Sequence, residues 1–532
     1  MNSRSQTSAP SARTIEANKW LVACTAMFGA FMSVMDFSIV NVAMPHMMGS
    51  FSEDMYSITW VATSYSIAEL IMVTMTGWWS AVLGRKRLYL LSFALFTLGS
   101  ALCGTAVSFH QMLFYRVIQG VGGGALIPVS QAILRESFPQ EEQGMAMAIF
   151  GMGVVLAPAI GPVVSGWLTD HYGWPWIFFV NIPVSIIGMF MVGAFVHDPS
   201  YLRRGIKKID WVGIALLAVV LVTLQVVLDR GEQENWFDSR MITIEAVTFF
   251  AALVCLIFWE RKMQEPVVNF RILHNASLSL GSIIVVVFGV VQYGTTFILP
   301  QFAQNLLGYP AFQSGLMLAP RAVTLMLFMP VVGWLYNRVS ARILVLTGVG
   351  VMLWAYYDLA HLSLEAGFWN LVPMLLLMGA GMPFVFVTLS TVSLSTLPRS
   401  DMTDAASIYT LARRVGGNIG YAIAATLLDR GQQIHRAYLA DHVNLFNPAL
   451  AGYGRAVSSA LAAQLGFSQQ TLRHAVYSLA DRAVNMQSSM MAYNDVSMTF
   501  GILFLCVTPL IMLLPGRAAL PGRPAGPPMA ED

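Results

Sequence analysis

The sequence predicts an all-α integral membrane protein with fourteen transmembrane helices, and three observations support this fold class. Of the 532 residues, 56% are hydrophobic and only 11% are charged, whereas about a quarter of the residues in soluble domains are charged. Apolar runs of about 20 residues, the length that spans a bilayer as a helix, recur along the whole chain. Lysine and arginine concentrate in alternate connections between these runs.

The predicted spans follow one another through short connections, except before the last one. Residues 1–19 form a polar tail, and because the next apolar run is long enough to span and carries an acid, we interpret it as a retained helix rather than a cleaved signal peptide. The fourteen spans are predicted at residues 20–44, 58–81, 88–107, 110–133, 144–168, 175–197, 210–229, 241–259, 277–302, 313–336, 342–361, 369–393, 403–428 and 495–515.

Charge fixes the expected orientation and excludes some classes of protein. A cytoplasmic N-terminus puts nineteen of the thirty Lys and Arg residues on the inner side, so both termini, including the tail 516–532, are expected in the cytoplasm. A net charge of +2 in short basic clusters does not indicate nucleic-acid binding. The cysteines form no CxxC pair and the histidines are scattered, so neither a disulfide nor a metal site is predicted.

Asp36 is the only ionisable residue between Trp20 and Met44. A bare carboxylate at this depth is costly, and intramembrane acids therefore usually have a function. Burial favours the protonated form of a carboxyl group, which would let Asp36 take and release a proton during a transport cycle. The alternative is a carboxylate near the end of the span that backbone groups or water satisfy.

Two more charged residues lie at nearly the same depth. At about 1.5 Å per residue, Asp36 in span one and Arg116 in span four agree in depth within a few Å, and Glu69 in span two is only a little deeper. A neighbouring arginine favours the ionised acid, so separating Arg116 from Asp36 would switch proton affinity; the alternative is a fixed structural ion pair. Glu69 is either a second proton site or cation-attracting group, or a hydrogen-bonded packing residue.

An internal repeat explains the even number of spans. Residues 77–86 after span two and residues 333–342 after span ten share glycine and tryptophan at equal spacing, followed by basic residues. Two parallel six-helix bundles with two extra helices between them give this offset. The predicted units are a first bundle at 20–206, two additional helices at 207–262 and a second bundle at 263–515 that contains a long periplasmic loop, 429–494.

Four further stretches give the chain a resemblance to a known family. They are residues 35–45 in span one, 116–124 in span four, 157–166 in span five and 174–183 at the start of span six. With the repeat, they resemble the fourteen-spanner drug:proton antiporters of the major facilitator superfamily, the EmrB/QacA type, over nearly the full length. The resemblance implies the major facilitator fold and ties Arg116 to proton coupling.

The resemblance also indicates where the conformation changes, and where this chain departs from its family. In the fifth-helix motif, the prolines should bend the helix. The small residues of the motif let a neighbouring helix approach closely. In the turn after span two, Ala81 and Val82 stand where the family usually has an aspartate and a basic residue, which puts the charge relay proposed there in doubt. Candidates for conformational gating are Gly77, Gly84, Arg85, Gly161, Pro162 and Gly333.

The remaining candidates concern the substrate cavity. Arg321 follows Pro320 and is expected to face substrate or cavity water, whereas Arg413 and Arg414 are interpreted as residues near the inner mouth whose side chains reach the interface. The candidates for lining the cavity are Glu69, Arg321, Asn41 and Gln119.

These observations predict a proton-coupled multidrug exporter of lipophilic compounds, multi-pass in the bacterial inner membrane. The chain has no ATP-binding motif, so we expect no cofactor and a proton gradient as the energy source, and no constellation of acid, histidine and nucleophile indicates an enzyme. The alternatives are export of one endogenous metabolite or fatty acid, and a membrane sensor or scaffold that does not transport.

The long polar stretch before the last span is the basis for the prediction of partner proteins. Ser468 can cap a helix from Gln469 to about Met490 with one apolar stripe, which either docks on a partner or covers the outer mouth. For EmrB-like proteins of Gram-negative bacteria, the resemblance implies a periplasmic adaptor and an outer-membrane channel.

Overall fold

The described residues form a bundle of long helices. The computed structural model describes residues 12–53, 55–198, 210–263, 266–398, 401–443, 452, 455 and 469–514. Across these ranges the chain is almost entirely helical and contains no β-strand, which confirms the predicted all-α class.

Nine helices make up the part of the chain before residue 198, which we call the first bundle. Two of them are single turns at the ends of longer helices. They are α1 (Ala12–Phe51), α2 (Met55–Ile58), α3 (Trp60–Leu83), α4 (Arg85–Gly104), α5 (Phe109–Gly124), α6 (Leu126–Ser137), α7 (Gln143–Tyr172), α8 (Trp176–Phe179) and α9 (Asn181–Phe195).

Two helices follow the first bundle, and the described residues after 275, which we call the second bundle, contain seven more. The two that follow are α10 (Trp211–Arg230) and α11 (Arg240–Lys262). The second bundle consists of α12 (Ala276–Asn305), α13 (Ala311–Met317), α14 (Ala319–Leu335), α15 (Ala341–Leu359), α16 (Phe368–Leu394), α17 (Met402–His442) and α18 (Gln469–Met512).

Thirteen helical segments of the described chain are long and apolar enough to cross a membrane, and each corresponds to a predicted span. The fourteenth predicted span, 403–428, has no counterpart among these thirteen segments and lies within α17. Helix α17 is long enough to span, but polar residues such as Arg413, Arg414 and Asn418 keep it out of the apolar set. The count of fourteen spans therefore stays a prediction.

The stretch 429–494 differs from the predicted long loop. Helix α17 continues to His442, and α18 begins at Gln469 and continues without a break to Met512. The helix predicted from Gln469 to about Met490 is thus the first part of the last long helix, because no proline or glycine interrupts the chain between Gln469 and Asp495. Ser468, its predicted cap, lies outside the described residues.

Large apolar side chains cover much of the outer surface. Phe190, Phe250, Phe258, Trp354 and Leu505 are all exposed, and they belong to four different helices. Contiguous apolar surface on this scale is unstable in water and is what lipid-facing helices present. The chain is therefore a multi-pass membrane protein.

Helix α10 is hydrogen-bonded to both bundles. Thr63 of α3 donates to Asp229 of α10 at 2.6 Å, and Gln225 donates to the same carboxylate at 2.9 Å. The side-chain oxygen of Gln225, Oε1, in turn accepts from the side-chain amide of Asn418 on α17 at 2.5 Å. A continuous chain of polar side chains thus crosses from the first bundle to the second through an extra helix.

Candidate functional site

The carboxylate of Asp36 is buried, 1% exposed, and receives three hydrogen bonds. Arg116 of α5 donates from Nη1 to Oδ2 at 2.6 Å, Gln119 donates to Oδ1 at 2.7 Å, and Asn181 of α9 donates to Oδ1 at 2.8 Å. The structure therefore brings Asp36 and Arg116 together, as their depths suggested. All three side chains that hydrogen-bond this carboxylate are donors.

Arg116 is fully buried and held from several sides. Its Nε donates to the backbone oxygen of Val61 at 2.9 Å, and Nη1 also donates to Gln119 at 2.7 Å. The guanidinium carbon lies 4.2 Å from the centre of the Tyr65 ring, a cation–π distance. These contacts fix the cation beside the acid and exclude water from the pair.

Asn181 is a site residue that sequence reasoning missed. Besides binding Asp36, its amide nitrogen lies 3.2 Å from the hydroxyl oxygen of Ser100 on α4, so it joins three helices. The signal in the sequence was an amide side chain in the apolar stretch 174–183. Gln119, a predicted cavity residue, is instead fully buried against Asp36 and Arg116.

A second buried ion pair joins the two bundles. Glu69 of α3, 2% exposed, accepts from Arg414 of α17 at 2.6 Å and from Ser33 of α1 at 3.0 Å. The interpretation of Arg413 and Arg414 as interfacial residues is wrong, since both are buried. Arg414 stays inside because the carboxylate of Glu69 compensates its charge there.

The two ion pairs adjoin each other through helical turns. Ser33 and Asp36 lie one turn apart on α1, and Tyr65 and Glu69 lie one turn apart on α3. Ser33 binds Glu69, while Tyr65 covers Arg116. A movement of α1 against α3 would therefore disturb both pairs together.

The repeat glycines lie where the two bundles touch. Gly77 of α3 faces the carboxylate of Asp404 on α17, and a Cβ at this position would overlap that group. Gly333 of α14 faces α7, where a Cβ would lie 2.9 Å from the backbone oxygen of Gly144. Helices can approach this closely only where side chains are absent. The bundles are thus closed against each other at the end that carries both repeat turns.

The turn after α3 combines a backbone requirement with an ion pair. Gly84 has φ +83°, a left-handed conformation that favours glycine, and its N–H caps α3 on Ser80 at 2.9 Å. Arg85, 1% exposed, then forms an ion pair with Glu136 at the end of α6. Asp404 of the second bundle interacts electrostatically with Arg85. An acid from the opposite bundle thus lies near the turn that contains Ala81.

The fifth-helix motif packs α7 on α1. A Cβ on Gly161 would lie 2.8 Å from the hydroxyl oxygen of Ser38, and Ser165 donates to the backbone oxygen of Ile39 at 2.7 Å. Pro158 and Pro162 both lie inside α7, which remains one helix from Gln143 to Tyr172. The motif therefore holds the two helices in close contact along one face.

The last two cavity candidates are Arg321 and Asn41. Arg321 of α14 is half-buried, and its Nη2 lies 3.8 Å from the sulfur of Met382 on α16. The side chain of Asn41 lies outside the described residues. Among the residues that the structure describes, no group of three or more His, Cys, Asp or Glu side chains could hold a metal ion.

The close contact at Gly333 predicts that a larger residue there lowers the stability of the fold. We expect Gly333→Ala to lower the free energy of unfolding by about 1–3 kcal/mol, because the added methyl would meet the backbone of Gly144 and Met145, which has little room to shift. Gly350→Ala in α15, where a Cβ meets nothing within 4 Å, should be neutral or gain about 0.5–1 kcal/mol. Thermal unfolding of the two purified variants checks this; equal shifts would contradict the contact.

Comparison with known proteins agrees with this architecture. The profile of the Major Facilitator Superfamily matches residues 26–421. The Multidrug export protein EmrB of Haemophilus influenzae is 32% identical over 437 residues, covering 80% of this chain and 84% of that protein. The Fatty acid resistance protein FarB of Neisseria gonorrhoeae is 29% identical over 485 residues, covering 91% and 93%.

A solved structure supports the same fold at low sequence identity. The human organic anion transporter MFSD10 superposes with a TM-score of 0.58 at 14% identity, covering 91% of this chain and 99% of that one. This likeness concerns the fold alone, whereas the profile match and the identity to EmrB establish kinship in sequence. The chain therefore belongs to the Major Facilitator Superfamily, within its EmrB-like group of multidrug efflux proteins.

Proposed function

We propose that the protein exports lipophilic compounds in exchange for protons, with Asp36 as the proton carrier and Arg116 as its switching partner. The observation that supports this most directly is the buried Asp36–Arg116 pair, at 2.6 Å, among the helices of the first bundle. A charge pair in such surroundings contributes little net stability compared with apolar packing. Its retention is better explained by a cycle that makes and breaks it.

The first step of the proposed cycle is release of the proton. With Arg116, Gln119 and Asn181 all donating to it, the Asp36 carboxyl has no acceptor for a proton of its own. The present conformation, closed at the end with the repeat turns, therefore corresponds to the ionised carrier. A proton can return only after the contact with Arg116 opens.

The second step couples that opening to movement of the bundles. The Glu69–Arg414 pair joins α3 to α17, and it adjoins the Asp36 site through Ser33 and Tyr65. Rocking of one bundle against the other separates Glu69 from Arg414 and shifts α1 against α3. In this proposal Glu69 is the cavity acid whose contact with Arg414 links the position of the second bundle to the Asp36 site.

The proposed energy source is the proton gradient, with no cofactor and no enzymatic step. A membrane potential of 100 mV supplies about 2.3 kcal/mol for each charge that crosses. In the bacterial inner membrane, such a transporter moves protons inward and lipophilic compounds outward. The gating roles of Gly77, Gly84, Arg85, Gly161, Pro162 and Gly333 belong to this proposal.

A periplasmic adaptor and an outer-membrane channel complete the proposed export route. What supports it is the extension of α17 to His442, beyond the predicted span 403–428, and the start of α18 at Gln469, well before the predicted span 495–515. With cytoplasmic termini, these extensions project on the periplasmic side. We expect photo-crosslinkers at exposed Tyr477 to capture an adaptor in intact cells, whereas crosslinkers at Phe250, on the outer face of α11, should not.

Proton release from energised vesicles tests the proposed function. Inside-out vesicles with an acid interior receive a panel of lipophilic cations, weak acids and neutral compounds while a fluorescent dye follows internal pH. We expect some compounds to release protons in vesicles that contain the protein and not in protein-free vesicles. A panel that gives identical traces in both, for a protein shown to be folded, would contradict proton-coupled export.

A further inference from the structure

Arg413 is a buried cation without a counter-charge in the part of the chain that the structure describes. It is 1% exposed, and neither Nη1 nor Nη2 has a hydrogen-bond partner there. Of the four other buried arginines among the described residues, Arg85, Arg116 and Arg414 each form an ion pair, and Arg135 forms none there. Removing one member of a buried pair is strongly unfavourable, so an isolated guanidinium in this position needs an anion from elsewhere.

The surroundings of Arg413 are apolar and lie between the bundles. Its guanidinium carbon is 5.8 Å from the centre of the Phe386 ring on α16. A Cβ on Gly151 of α7 would lie 2.8 Å from the same ring and 2.9 Å from the terminal carbon of Met329 on α14. Phe386 and Met329 of the second bundle thus pack against the first bundle, beside the cation.

A second arginine, Arg321 of α14, contacts α16 one turn away from Phe386. Arg321 contacts Met382, and Met382 precedes Phe386 by four residues, about 6 Å along the axis of α16. No acidic side chain among the described residues lies within ion-pair distance of Arg321. Arg321 is partly buried, whereas Arg413 is 1% exposed.

We propose that Arg413 and Arg321 form a binding subsite for the carboxylate of an amphiphilic acid, whose apolar body lies on Met329, Met382 and Phe386. Guanidinium groups bind carboxylates through paired, charge-assisted hydrogen bonds, and methionine and phenylalanine side chains adapt to apolar chains of varied shape. Arg321 meets the acid at the entrance and Arg413 holds it inside. This proposal rests on the proposed export function and narrows its substrate class.

The binding test compares three ligands that share one chain and differ in charge. Dodecanoate, dodecanol and dodecyltrimethylammonium are titrated calorimetrically into the full-length protein in micelles, with protein-free micelles as the blank. We expect dodecanoate to bind at least about tenfold more tightly than the other two, the effect of one charge-assisted hydrogen bond of about 1.5 kcal/mol or more. Equal affinities for all three would overturn the subsite.

Variants separate a binding role of Arg413 from a structural one. Arg413→Gln and Arg321→Gln should each reduce dodecanoate affinity about tenfold or more and leave dodecanol affinity within about twofold. Arg271→Gln, at an exposed arginine outside the site, should change neither. Without ligand, Arg413→Gln should unfold at the same or a higher temperature than wild type, because it removes an uncompensated charge. Equal loss for both ligands, or a large drop in unfolding temperature, would assign Arg413 to packing.

The proton-release assay keeps this proposal distinct from the export function. If cations and neutral compounds release protons but dodecanoate neither binds nor releases them, export stands and the carboxylate subsite is wrong. If dodecanoate binds in an Arg413-dependent manner but no compound releases protons, the subsite stands and proton-coupled export is wrong.

Discussion

Replacing Asp36 by asparagine is expected to reduce compound-driven proton release to the level of protein-free vesicles. Asparagine has nearly the same shape and still accepts a hydrogen bond, but it has no proton to exchange at any physiological pH. Asp36→Glu retains the acid and should keep measurable release. Asp238→Asn, at an exposed acid in the short 3-10 helix Trp236–Asp238, should behave as wild type.

The variant must be shown to fold, because Asp36→Asn leaves Arg116 as a buried cation without its partner. Exchange of labelled compound across vesicles without any gradient supplies that evidence, since such exchange needs the cavity and the moving bundles but no net proton transfer. We expect exchange to persist in Asp36→Asn while proton release is lost. Normal proton release by a folded Asp36→Asn variant would assign the carrier to another acid, with Glu69 next.

Two adjacent arginines, Arg413 and Arg414, should respond oppositely to the same substitution. Arg414→Gln leaves Glu69 buried with only Ser33 as a described side-chain donor, and breaking a buried pair in this way costs about 3–5 kcal/mol of stability. Arg413→Gln breaks no ion pair among the described residues. Thermal or denaturant unfolding of the two purified variants measures the difference.

A double-mutant cycle isolates the Glu69–Arg414 contact. The variant Arg414→Gln/Glu69→Gln removes both charges, so we expect it to recover most of the stability that Arg414→Gln alone loses. If the double variant is as unstable as the sum of the two single changes, the pair does not join the bundles in the conformation that prevails in solution.

The sequence was sufficient for the fold class, for the thirteen apolar spans and for the meeting of Asp36 with Arg116. Charged residues stand out in apolar runs, and the rise per residue converts their positions into depths. The same count would have found Arg414. It lies eleven residues into the predicted span 403–428, or about 16 Å, and Glu69 lies eleven residues into span 58–81 from the other side.

Other parts of the site depend on information that position along the chain does not contain. The sequence left Glu69 undecided because the facing of a charged residue follows from how its helix is rotated against its neighbours. Asn181 carries no charge, so its burial costs less and its position was not conspicuous. The helix from Gln469 was predicted, but the extension of α17 from residue 429 to His442 was predicted as part of a loop because it is polar, although polar residues of this kind form helices readily outside the membrane.

The position of Asp404 determines which bundles could be exchanged between related transporters to make a chimaera. In this chain Arg85 lies near Glu136 and Asp198 of the first bundle and near Asp404 of the second bundle, while the turn itself has Ala81. A chimaera that joins this first bundle to a second bundle without such an acid leaves Arg85 with one acid fewer. The reciprocal chimaera, if its first bundle has an acid in that turn, places this acid beside Asp404. The two bundles are therefore matched to each other, and each one fits only partners with a complementary charge pattern.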